Sequence, residues 1–91
     1  MDWPASAQRL RGMSPTLLRY GKLRFYFYSR EEPRAHVHVS SPDGEAKMWL
    51  DPEVSLEWQN GIRPRDLRTA MRVAKEHRDD FTEAWTRNFS G

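Results

Sequence analysis

Cysteine is absent from the chain. That excludes disulfides and thiolate metal sites, and it fits a reducing compartment. Long apolar runs are absent too. No stretch approaches the roughly 18–20 residues that a membrane-spanning helix needs. The first residues, Met1-Asp2-Trp3-Pro4-Ala5-Ser6, lack the apolar segment of a signal peptide. A soluble cytoplasmic protein that does not engage a membrane is the expectation. Repeats and low-complexity tracts are missing, and 91 residues leave room for one domain with a thin core. Histidine is scarce: there are three. Two of them stand two residues apart, at His36 and His38.

Aromatic side chains are plentiful for this length, with four Trp, three Tyr and four Phe. They raise the area a small core can bury. Net charge is only +2 but is unevenly spread. Residues 1–30 carry six bases and one acid, residues 31–60 two bases and seven acids, and residues 61–91 seven bases and five acids. A basic first third can attract phosphate or an acidic protein, although a solvated surface has the same composition.

Residues 1–12 show no periodicity and read as an N-terminal extension, followed by a single α+β domain over 13–91. Lys22–Ser29 is aromatic-rich, as strands are. Pro33 marks a turn, and His36–Ser40 alternates polar with β-branched residues in a strand pattern. Ser41-Pro42-Asp43-Gly44 signals a hairpin turn, after which Glu45–Leu50 alternates again. Val54–Trp58 is a short fourth strand or an irregular edge. Past Asn60-Gly61, Pro64 suits a helix's first turn, and Leu67, Met71 and Ala74 recur at helical spacing. Phe81, Trp85 and Phe89 form a second stripe. The polar run Glu76–Asp80 between them favours two helices, with Asp79 as cap, over one long helix. The predicted fold is therefore a three- to four-stranded antiparallel sheet followed by one or two C-terminal helices packed on one face.

Strand alternation sorts the side chains into two sets. Leu23, Phe25, Phe27, Val37, Val39, Ala46, Met48 and Leu50 belong against the helices. Arg24, Tyr26, Tyr28, His36, His38, Glu45, Lys47 and Trp49 share the opposite face. This second face is either a solvated sheet surface or a site. Substituting either histidine is then expected to spare the fold, whereas Val37→Asp or Val39→Asp destroys it.

Three chemistries suit two imidazoles with Cα atoms about 6.5–7 Å apart. The first is metal-independent, ribonuclease-like acid–base catalysis by His36 and His38, with Arg24 or Lys47 holding phosphate. The second is metal binding, but Glu31, Asp43, Glu45 and His77 stand at no diagnostic spacing, so neither a metal nor another cofactor is expected. The third is binding without catalysis. Tyr26, Tyr28 and Trp49 can stack on RNA or DNA bases while Arg24 and Lys47 meet phosphates. The acidic middle third argues against a broad phosphate footprint. His77, between Glu76 and Arg78, reads as a helix-end histidine with a local partner.

Several segments together resemble the small bacterial domain of unknown function 4160. They are Ser14-Pro15-Thr16-Leu17, Tyr26-x-Tyr28-Ser29, Pro33-x-x-His36-Val37-His38-Val39, Glu45-Ala46-Lys47, Glu76-His77-Arg78-Asp79 and Trp85. The similarity runs from about residue 13 to 90, and the Pro…His-Val-His-Val element is its most specific part. Many members have two prolines just before the first histidine, where this chain has Arg34 and Ala35. The resemblance implies a bacterial protein, often encoded beside a second small domain of unknown function. It implies no established activity. It raises two expectations: a toxin–antitoxin-like component acting on nucleic acid, or a non-enzymatic interaction module, antitoxin or adaptor, that binds a protein encoded nearby. Self-association stays open.

Overall fold

The computed structural model describes residues 16–28 and 33–89. The extension expected over residues 1–12 lies outside the described residues. Five antiparallel strands follow one another across a single sheet: β1 (Thr16–Tyr20), β2 (Leu23–Tyr26), β3 (His36–Ser40), β4 (Glu45–Trp49) and β5 (Ser55–Asn60). Two helices follow the sheet, α1 (Pro64–Glu76) and α2 (Arg78–Phe89). The architecture is α+β as expected, with five strands rather than three or four.

The additional strand is β1. Its Leu17-Leu18 pair breaks strict alternation, because the register with β2 shifts between Thr16 and Leu18. That bulge turns both leucines toward the core. Gly21, at φ 58°, then closes a tight turn into β2. The fourth predicted strand is real but sits two residues later at its C-terminal end, and it too is irregular, opposite Lys47 and Met48.

The β3–β4 turn is held locally. The Ser41 hydroxyl accepts from the backbone N–H of Asp43 at 3.1 Å and of Gly44 at 3.2 Å. Gly44 lies so close to the β5 exit that a Cβ would overlap the carbonyl oxygen of Asn60. Between β4 and β5, the Arg78 guanidinium donates to the carbonyls of Leu50 at 2.9 Å and Pro52 at 3.1 Å, which pins this loop to the start of α2.

Pro64 opens α1 after an extended Arg63. Asp66 in its first turn meets Lys22 of the β1–β2 turn at 3.1 Å. The helix ends at His77, and α2 begins at once, so the polar run does divide two helices. His77 Nδ1 lies 3.7 Å from Asp80 and its ring stacks on Phe81. Ala70, Val73, Ala74, Phe81 and Ala84 cover the face made by Leu23, Phe25, Val37, Val39, Ala46 and Met48. Phe25 and Phe81, both fully buried, meet at 5.7 Å. Burying one such ring contributes about 1.5–3 kcal/mol. No helix among the described residues is long and apolar enough to cross a membrane.

Candidate functional site

The second sheet face carries one row with a residue from every strand. Hydrogen-bond register places Thr16 beside Tyr26, Tyr26 beside His38, His38 beside Lys47 and Lys47 beside Trp58. A neighbouring row pairs His36 with Trp49 and Trp49 with Ser55. The sequence-predicted residues Tyr26, His36, His38, Lys47 and Trp49 thus come together. Arg24, opposite Ser40, sits in the row on the far side. Tyr28 follows β2, and its ring reaches back to within 4.8 Å of the His38 ring.

The face is not the open surface that alternation suggests. His36 has no exposed surface, and His38, Lys47 and Tyr26 are buried as well. Rings account for much of this cover. His38 stacks on Tyr26 at 5.5 Å and takes the edge of Tyr28. His36 stands 5.4 Å from His38, 5.7 Å from Trp49 and 4.7 Å from Trp85. Trp85 belongs to α2 and also packs on Phe27, one residue past the end of β2. The indole therefore reaches the first histidine of β3 where β2 has run out. The expectation that either histidine can be replaced without harm to the fold is corrected by this packing.

Hydrogen bonding fixes the His36 tautomer. Its Nδ1 lies 2.7 Å from the carbonyl oxygen of Arg34. A carbonyl only accepts, so Nδ1 carries a proton and donates it here.

Cations lie over the rings. The Arg24 guanidinium sits 4.4 Å from the Tyr26 centroid and donates through Nε to the Thr16 hydroxyl at 2.6 Å. Arg34 lies 4.2 Å from the Trp49 centroid and Lys47 Nζ 4.6 Å. Tyr28 and Trp58 remain exposed, at 46% and 40%. Among the described residues, no group of three or more metal-ligating side chains gathers.

Arg34, Trp58 and Trp85 belong to this environment and were not among the sequence candidates. Arg34 was within reach of the pattern, because 34, 36 and 38 share parity. Trp58 was hidden by the irregularity opposite Lys47 and Met48, and no periodicity announces that Trp85 will meet a histidine.

A family model described as domain of unknown function (DUF4160) matches residues 23–86. The match spans the His-x-His strand, α1 and most of α2, and is narrower than the resemblance read from residue 13 to 90. No curated protein and no solved structure matches the chain.

Proposed function

The chain belongs to the domain of unknown function 4160 family, and we propose that it is a binding module whose second sheet face holds single-stranded RNA. The observation that carries this reading is the pairing of cations with rings on one face: Arg24 on Tyr26, and Arg34 and Lys47 on Trp49. Exposed Tyr28 and Trp58 stand beside them, and Trp49 is half-buried. Ring faces accept any base, while guanidinium and ammonium groups meet phosphates. From β2 to β5 the face extends about 14 Å, at roughly 4.8 Å per strand. In this reading His36 and His38 brace the platform and do not touch the ligand. A toxin–antitoxin-like role is compatible with it, and its expected outcome is that expression of the chain alone slows growth and that Trp58→Ala relieves the effect.

Fluorescence anisotropy with a short labelled RNA tests the binding. The two accessible cations, Arg24 and Arg34, give a slope of log affinity against log salt of about −1.4, at roughly 0.7 per contact. Raising monovalent salt fourfold then weakens binding about sevenfold. Trp58→Ala removes one stacking platform, worth about 1–3 kcal/mol. Absence of binding at low salt, or a flat salt dependence, ends the reading. The catalytic alternative keeps one support, two imidazoles 5.4 Å apart beside Lys47. It calls for cleavage of the same RNA, lost in His38→Gln.

A further inference from the structure

α1 carries a second surface, on the far side of the helix layer from the RNA-binding face proposed above. Its inward stripe, Ala70, Val73 and Ala74, is fully buried. Leu67 and Met71, one turn apart, are only partly covered at the margin of the core. With Arg68, Arg72, Lys75 and Glu76 they line an open groove of about 670 Å³. Its apolar part is aliphatic, and among the described residues no ring lines it.

The rim is cationic and incompletely neutralised. Arg72 is engaged, bonded to Glu76 at 3.0 Å and to the Tyr20 hydroxyl at 3.2 Å. Those two partners hold its guanidinium above the usual arginine value. The side chains of Arg68 and Lys75 enter no ion pair or hydrogen bond among the described residues. They stand seven residues apart, two turns along the helix, and so bracket Met71 on one side of the groove.

We infer that this groove docks an acidic amphipathic helix of a partner protein. Aliphatic side chains spaced i, i+4 meet Leu67 and Met71, and flanking carboxylates meet Arg68 and Lys75. Nucleic acid fits less well: the exposed Tyr20 ring at the edge of the groove is already engaged by Arg72, and the Glu76 carboxylate repels phosphate. A second copy of the chain fits less well too. A two-fold interface sets the same patch against itself, and here it would oppose like charges.

The test uses the full chain and a labelled synthetic helical peptide with Leu at i, i+4 and i+7 flanked by Glu. Two control peptides replace Leu by Ser or Glu by Lys, and a short RNA serves as competitor. The expected result is binding of the Leu/Glu peptide alone. The double variant Arg68→Glu/Lys75→Glu weakens it about tenfold, and the Leu/Lys peptide, which the parent does not bind, binds that variant. The rescue shows that the variant is folded. Equal binding of the Ser peptide, indifference to the charge reversal, or displacement of the peptide by RNA each overturns the inference. Because the sheet face takes no part, failure of RNA binding in the parent chain leaves this result readable.

Discussion

Replacing His36 by alanine separates a structural histidine from a chemical one. The ring has no exposed surface, donates from Nδ1 to the Arg34 carbonyl at 2.7 Å and touches the rings of His38, Trp49 and Trp85. Truncating a buried Phe or Trp to Ala costs about 3–5 kcal/mol through lost transfer energy and the cavity left behind. Imidazole is smaller and more polar, which lowers that contribution to about 2–3 kcal/mol. Loss of the hydrogen bond adds about 1 kcal/mol, offset in part because exposed Arg34 lets water reach its carbonyl. The net loss is about 2–4 kcal/mol. For a domain of this size each kcal/mol moves the melting midpoint by about 4–8 °C, so His36→Ala melts roughly 10–25 °C below the parent. Circular dichroism reads the whole fold, and tryptophan fluorescence follows Trp49 and Trp85 beside the lost ring. Arg34→Ala is the contrast: its exposed stack on Trp49 contributes about 0.5–1 kcal/mol, and the fold survives. A His36→Ala chain that melts within about 2 °C of the parent refutes the bracing role.

Four further outcomes follow from the packing. Val37→Asp buries an unpaired carboxylate in the fully enclosed core and yields insoluble or unfolded protein, seen in a solubility assay and by circular dichroism. Gly44→Ala drives a methyl group into the Asn60 carbonyl, so the β3–β4 turn and the β5 exit separate, with a loss of at least about 2 kcal/mol in urea unfolding. Arg78→Met removes both bonds to the β4–β5 loop and, from a partly exposed site, lowers stability by about 1–2 kcal/mol on the same assay. Lys22→Met leaves the mostly buried Asp66 carboxylate without its ion pair and costs about 1 kcal/mol, which Asp66→Asn in the same chain largely restores.

Legibility from sequence varied by element for identifiable reasons. His36-Val37-His38-Val39 and Glu45–Trp49 alternate without interruption, and their faces are those read from the pattern. The polar run at 76–80 marked the break between α1 and α2. β1 escaped because its bulge places two leucines side by side on the core face and because Tyr20-Gly21-Lys22 lacks a strong hairpin signature. Within the site, parity brought Tyr26, His38 and Lys47 into one row. Depth was not legible, because alternation assigns a face without saying what lies over it. Part of the cover on His36 comes from Trp85 in α2, a contact made by chain geometry and not by any local spacing.

The order of the strands has a consequence for synthesis. Every hydrogen-bonded pair in the sheet joins strands adjacent in the chain, so the sheet can zip up one hairpin at a time as it emerges. Its apolar side waits for α1 and α2, which are made after all five strands. At roughly 5–20 residues per second that interval lasts a few seconds. During it Phe25, Val39, Ala46 and Met48 lack their helical cover. A chain stopped at Asn60 keeps all five strands and none of that cover, and it is the form of this protein most prone to aggregate.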